Sequence, residues 1–205
     1  MLDIVIVVAI LFMAIILHEY AHGWMAFQRG DPTAKLAGRL TLNPIKHIDP
    51  IGTILLPGIL IGLRMMGHNV FVFGWAKPVP VNFGQLRKPK QDMILVALAG
   101  PIINIIIAVL FSQLLLVIPL KYFHFVVLGI FINLLLAIFN MIPIPPLDGS
   151  RVVMGLLPNR LAYQYARLER YGILIVVALL YLGLFERVVL PVIIACGHLL
   201  GVELS

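Results

Sequence analysis

Long apolar runs dominate the sequence and alternate with shorter segments that hold most of its charged residues. Four windows approach or exceed the roughly 20 apolar residues that cross about 30 Å of hydrocarbon. They cover residues 4–27, 93–119, 123–142 and 171–185 or beyond. The pattern predicts an all-α polytopic membrane protein with about four transmembrane helices.

The region between the first and second spans has a different pattern. A fifth apolar run, 51–66, is short and broken by Pro and Gly, so we expect it to be re-entrant. Residues 37–43 and 72–82 alternate like short strands, and Pro78 and Pro80 tolerate only an edge position. An edge strand there could accept an unfolded peptide, whereas a cytoplasmic loop packed on the helices is the alternative.

Composition agrees with membrane insertion. Hydrophobic residues make up 61% of the 205 and charged residues 12%, against about half and a quarter in soluble domains. We expect one domain over 1–205, with a core at 1–155 and C-terminal membrane segments at 171–202. The latter are either one span plus an interfacial helix or two short spans.

Membrane topology, rather than nucleic-acid binding, explains the net charge of +6. We therefore do not expect nucleic acid as a partner. Thirteen of the fifteen Lys and Arg residues lie in 29–90 and 151–170. With the N-terminus outside and 51–66 re-entrant, all thirteen face the cytoplasm. The expected location is the lipid bilayer of an inner or plasma membrane, with any site near these loops opening toward the cytoplasm.

The sequence HEYAH, residues 18–22, interrupts the first apolar window with ionisable residues. On a helix, His18 and His22 project about 40° apart, and Glu19 projects about 60° from His22. This H-E-x-x-H spacing lets two imidazoles bind one ion while the glutamate accepts a proton from the attacking water. An ordinary polar helix surface is a weak alternative, because each such residue costs roughly 2.5 to 3.5 kcal/mol inside a span.

Two histidines leave a catalytic zinc site one protein ligand short. The segment FNMIPIPPLDGSR, residues 139–151, follows the third span, and its prolines break the helix there. It contains Asp148, which is a candidate for the third ligand. Asp148 could instead cap the following helix or pair with Arg151.

In the second span, Gly100 and Asn104 share one helix face, and we favour close packing with one interhelical hydrogen bond over a chemical role.

HEYAH and NMIPIPPLDG, in this order, resemble the site-2 protease family of intramembrane zinc metalloproteases, the M50 peptidases. The resemblance covers residues 8–155 and is nearest to compact bacterial members without a PDZ or CBS domain. It implies one Zn²⁺ per chain, a general base and a residue that holds substrate or stabilises the oxyanion. The residues implied are the ligands His18, His22 and Asp148, the base Glu19, and Asn140.

The activity implied is hydrolysis of peptide bonds in transmembrane protein substrates, that is, regulated intramembrane proteolysis. A membrane metal transporter or a non-catalytic metal-binding membrane protein is the alternative. Transport would not require Glu19 as a base and would favour ligands repeated along a path.

Overall fold

The computed structural model describes residues 2–68, 70, 74 and 76–204. In chain order its α-helices are α1 (Leu2–Gln28), α2 (Thr33–Leu36), α3 (Leu56–Met65), α4 (Pro89–Leu114), α5 (Phe123–Asn140), α6 (Asp148–Leu156), α7 (Asn159–Ala166), α8 (Gly172–Tyr181) and α9 (Leu190–Leu199). Shorter 3-10 or π-helical stretches lie at Pro44–His47, Pro50–Leu55, Phe83–Gln85, Leu120–Tyr122, Arg167–Tyr171 and Phe185–Val189.

Within the described residues, three helices are long and apolar enough to cross a membrane, and a bent pair makes up to four. The three are Val5–Gln28, Pro89–Leu114 and Leu120–Asn140. Asn159–Tyr181 and Phe185–Leu199 meet at 72°, so the C-terminal region is a broken helix pair. The bend coincides with Gly183, whose φ of 88° suits a residue without a Cβ.

The re-entrant path expected for 51–66 is not supported. Residues 50–65 form one continuous helical run, because Pro50 starts it and the Asp49 carboxylate accepts hydrogen bonds from the N–H groups of Ile51 and Gly52. At 1.5 Å per residue this run is about 24 Å long, which is short of a full span.

The expected short strands are also absent from the described residues. Residues 37–43 turn at Gly38, whose φ is 62°. Of the second expected strand, residues 72, 73 and 75 lie outside the described part of the chain, and residues 76–82 are extended without a strand partner. We call 76–82 the extended segment.

Contacts from distant parts of the chain hold the extended segment instead of a β-ladder. The Lys77 N–H donates to the His47 carbonyl (2.9 Å), and the Asn82 N–H donates to the buried Asp31 carboxylate (2.6 Å). Arg39 Nη2 donates to the Lys77 carbonyl at 2.6 Å and more weakly to that of Pro78 at 3.3 Å. These bonds replace the ladder that two prolines would interrupt.

Helix α4 is central to the packing, because it contacts α1, α5 and α6. One apolar cluster joins α4, α5 and α9 through Ala108, Ile130 and Ile193, each fully buried. A smaller cluster of Ala26, Leu86 and Val96 joins α1 to the start of α4. The helices that carry the sequence motifs are thereby held against one another.

Arg39→Met tests how the extended segment is held. Loss of the guanidinium leaves two carbonyls without their donor, at roughly 1 to 3 kcal/mol for buried groups. We expect amide hydrogen exchange in residues 76–82 to accelerate about tenfold or more, as measured by mass spectrometry. Arg64→Met, at an exposed position near the end of α3, is the matched control and should leave exchange there unchanged. Equal exchange in both variants would contradict this account.

Candidate metal centre

The unbroken helix α1 brings both histidines of the HEYAH motif to one buried position. His18 is 6% exposed and His22 is 8% exposed. Their Nε2 atoms lie 3.0 Å apart, one turn along the same face. The spacing predicted this arrangement because helix geometry alone sets it.

Asp148 reaches the same position from the other side. Helix α5 ends at Asn140, residues 141–147 turn, and Asp148 begins α6. Its Oδ2 lies 3.1 Å from His18 Nε2 and 3.2 Å from His22 Nε2. Neither alternative for Asp148 is found, because α6 has no side-chain cap and Arg151 pairs with Glu169 at 2.7 Å.

The three atoms suit a single divalent ion. Around a tetrahedral ion with bonds of about 2.0 to 2.1 Å, neighbouring ligand atoms are about 3.3 Å apart, near the observed 3.0 to 3.2 Å. Among the described residues, His18, His22 and Asp148 form the one group of three or more His, Cys, Asp or Glu residues that could hold a metal. His47, fully buried, instead bonds the Thr41 carbonyl through Nε2.

Hydrogen bonds behind the histidines leave Nε2 of each free for an ion. The Nδ1 atom of His22 lies 2.7 Å from the Val96 carbonyl oxygen, which can only accept, so this nitrogen carries the proton. The Nδ1 atom of His18 lies 2.6 Å from Asn104 Oδ1. Both Nε2 atoms then present lone pairs to the same point, as metal binding requires.

Helix α4 leaves room for the ion because residue 100 is glycine. A Cβ built there would lie 2.4 Å from His22 Nε2 and 2.6 Å from His18 Nε2. Contacts this short cannot be accommodated without moving the imidazoles. Gly100 therefore does more than allow the close helix packing predicted from the sequence.

The Asp148 carboxyl, which lies between the spans, is ionised. Burial raises its pKa, but in the metal-free chain hydrogen bonds donated by His18 and His22, when their Nε2 atoms carry protons that a metal would displace, outweigh burial and lower the pKa to about 2. A carboxylate that binds a metal must be deprotonated, so this environment matches that requirement.

A cavity of about 540 Å³ is lined in part by the three clustered side chains. The other two predicted site residues, Glu19 and Asn140, also line it, but neither is part of the group that could hold a metal. Glu19 Oε2 accepts a hydrogen bond from the Val79 N–H of the extended segment at 2.7 Å. Asn140 Nδ2 donates to the Leu136 carbonyl at 2.9 Å. The cavity walls also include side chains of the extended segment, α4 and α5.

The sequence interpretation missed two contributions to the site. One interhelical hydrogen bond was predicted for Asn104; it makes two, to Ala14 and Asn133, and it also contacts His18. Asn133 in α5, which was not singled out, contacts Asn104. A buried asparagine in an apolar span is itself a signal of function, because its unsatisfied amide would be costly in hydrocarbon.

Comparison with known proteins gives a consistent family. A model described as peptidase family M50 matches residues 117–183. The chain is 38% identical over 196 residues to "Putative zinc metalloprotease YwhC" of Bacillus subtilis, an alignment that covers 89% of this chain and 83% of that protein. It is 30% identical over 188 residues to "Putative zinc metalloprotease Rip2" of Mycolicibacterium smegmatis, covering 89% and 69%. No solved structure gives a significant match.

Gly100→Ala tests the room available for the ion. The added Cβ displaces the two imidazoles, so we expect metal bound per purified chain to fall at least tenfold by elemental analysis. Gly62→Ala in α3, where a Cβ would meet no atom within 4 Å, is the matched control. Full metal content in the Gly100 variant would show that the ion does not bind between these imidazoles.

Proposed function

The chain belongs to peptidase family M50, and from this membership and the geometry of its buried triad we propose that it is an intramembrane zinc metalloprotease of transmembrane protein substrates. The observation that carries the proposal is the convergence of three metal-binding atoms within 3.2 Å of one another, beside a cavity that also contains a glutamate. The family and the apolar helices make it a multi-pass membrane protein.

We assign His18, His22 and Asp148 as ligands of one zinc ion. Two imidazoles and a carboxylate form a ligand set found in catalytic zinc sites, which keep one position open. When bound, zinc supplies Lewis-acid polarisation of the scissile carbonyl and lowers the pKa of water toward 7. The chain itself holds the three ligand atoms in place, with both histidines buried and the Asp148 side chain 19% exposed.

Glu19 is the proposed general base. Its Oε2 is held by the Val79 N–H, which leaves Oε1 for the proton of the attacking water. After the carbonyl is attacked, the same oxygen returns the proton to the departing amine. A fixed carboxylate suits this role, because proton transfer requires the donor and acceptor within hydrogen-bond reach.

The substrate is proposed to enter as a locally unwound chain along the extended segment. A helical peptide has its carbonyls bonded internally, so it must open before attack. The extended segment borders the cavity, and the substrate is proposed to pair with those of its backbone groups that are not already bonded within the chain. Pro78 and Pro80 have no N–H, so pairing at these positions relies on donors of the substrate.

Asn140 is proposed to hold the substrate or to stabilise the oxyanion. It lies at the end of α5, on the cavity wall, and one of its two amide hydrogens is bonded to Leu136. The second hydrogen is therefore available to a substrate oxygen.

The site is proposed to open toward the cytoplasm of an inner or plasma membrane, and the reaction to be part of regulated intramembrane proteolysis. Arg29 directly follows the helix that carries the histidines, and four basic residues follow the Pro-rich turn (Arg151, Arg160, Arg167, Arg170). Such clustering favours the cytoplasmic side on the positive-inside rule.

Glu19→Gln separates proteolysis from metal binding or transport. The amide cannot accept the water proton, so cleavage of a transmembrane peptide in detergent should fall roughly 10²- to 10⁴-fold. Zinc content should stay at one ion per chain, because Glu19 is not a ligand. The exposed Glu186→Gln is the control and should cleave normally.

Cleavage at the unaltered rate by the Glu19 variant would remove Glu19 from the mechanism. Zinc flux into vesicles that hold the unaltered chain, without cleavage of any peptide, would instead favour the transporter.

Asn140→Ala tests the second cavity residue. Loss of one oxyanion donor typically lowers kcat by about 10²- to 10³-fold, whereas loss of substrate holding raises KM. Steady-state kinetics on the same peptide distinguish these two roles, with zinc content unchanged. Asn159→Ala, at the exposed start of α7, is the matched control. Unchanged kcat and KM in the Asn140 variant would exclude both roles.

A further inference from the structure

Behind His18, two fully buried asparagines link three helices in one chain of hydrogen bonds. Asn104 of α4 is 0% exposed and Asn133 of α5 is 1% exposed. From His18 Nδ1 the chain runs to Asn104 Oδ1 (2.6 Å), from Asn104 Nδ2 to Asn133 Oδ1 (2.8 Å), and from Asn133 Nδ2 to the Gly129 carbonyl (2.8 Å). Asn104 Nδ2 also lies 3.3 Å from the Ala14 carbonyl in α1.

The Gly129 carbonyl, at the end of this series of hydrogen bonds, determines which group donates and which accepts in each of them. The Gly129 carbonyl can only accept, so Asn133 must turn its amide nitrogen toward it and its oxygen toward Asn104. Asn104 must then donate to Asn133, as it does to the Ala14 carbonyl, and its oxygen is the atom left to face His18. Two backbone carbonyls thus fix both amide orientations.

The consequence for His18 is a single tautomer. Its Nδ1 faces an acceptor and must carry the proton, so in the neutral imidazole, the form that binds a metal, Nε2 keeps the lone pair that points toward His22 and Asp148. If Asn104 were rotated by half a turn, its amide would present donors to Nδ1 and favour the tautomer with the proton on Nε2. That tautomer cannot bind a metal through Nε2.

We propose that Asn104, oriented by Asn133, is a positioning residue that sets the tautomer and ring orientation of His18 for metal binding. This inference rests on the metal site of the proposed function. His22 obtains the same proton placement directly from the Val96 carbonyl of α4. His18 has a side-chain acceptor instead, and an amide supplies it without adding a buried charge.

Zinc affinity of the full-length protein in detergent, measured by competition with a chelator, tests the proposal without relying on proteolysis. Asn104→Leu keeps the branched shape and the number of side-chain heavy atoms and removes the acceptor, so we expect zinc to bind about 10- to 100-fold more weakly. Asn104→Asp keeps an acceptor toward His18 and loses the donors toward Asn133 and Ala14. We expect its zinc affinity to remain within about threefold of the unaltered chain, or to be tighter.

The pair of variants separates positioning from packing, because both lose the same interhelical bonds. A role in helix packing alone predicts that Asp, which adds a buried charge, weakens zinc binding at least as much as Leu does, and that result would overturn the proposal. Unchanged affinity in Asn104→Leu would also overturn it. Ser112→Ala, which removes a buried α4 hydroxyl bonded to the Val109 carbonyl, is the control and should bind zinc normally.

Asn133→Leu provides a second route if the Asn104 variants do not fold. It leaves Asn104 beside His18 with only the 3.3 Å bond to the Ala14 carbonyl to orient its amide, so we expect zinc affinity to fall by about three- to tenfold, and unchanged affinity would count against the proposal. The absorption of bound Co²⁺ should change in this variant and in Asn104→Leu, because the orientation of one ligand changes.

Zinc affinity and peptide cleavage, measured on the same protein, distinguish a failure of the proposed protease from a failure of the role proposed for Asn104. An unaltered chain that binds zinc but cleaves no peptide overturns the proposed protease and leaves the role of Asn104 to be decided by the affinities. An unaltered chain that binds no zinc overturns both.

Discussion

The arrangement of the helices depends on the cost of placing imidazole and carboxylate groups where apolar side chains surround them. Every polar atom there needs a partner from the protein, because water does not compensate it. Val96 and Asn104 of α4 bond the two Nδ1 atoms, and Asp148 of α6 faces both Nε2 atoms. The packing of α4 against α1, α5 and α6 is therefore also the means by which the site is satisfied.

Helix α4 contributes to the centre through one face. Gly100 leaves the space in which the two Nε2 atoms approach the carboxylate, and Asn104, one turn further, bonds the ring behind them. A larger side chain at position 100 would fill the site, and an apolar side chain at position 104 would leave His18 Nδ1 without an acceptor. The same spacing that brings two helices close thus also orients a ligand.

Sequence reasoning reached the parts of this structure that local geometry determines. Helix periodicity fixed the relation of His18 to His22, and the apolar windows located the spans, since both depend on residues near one another in the chain. The extended segment was wrongly predicted to be a strand because its bonding partners, Arg39, Asp31 and His47, are side chains or carbonyls from distant positions. The contact of Asn104 with His18 depends on how two helices are rotated about their axes, which hydrophobic patterning leaves open.

Charge balance gives a physical reason for an amide, rather than a carboxylate, behind His18. Two carboxylates, those of Asp148 and Glu19, line the cavity and match one divalent cation, while Arg151, which also lines it, is paired with Glu169. A third carboxylate at position 104, fully buried, would leave the occupied site with an uncompensated charge in a region of low dielectric. An asparagine accepts the same hydrogen bond while remaining neutral, and its amide hydrogens tie α4 to α1 and α5. The choice of amide therefore serves ligand orientation and helix association with no cost in buried charge.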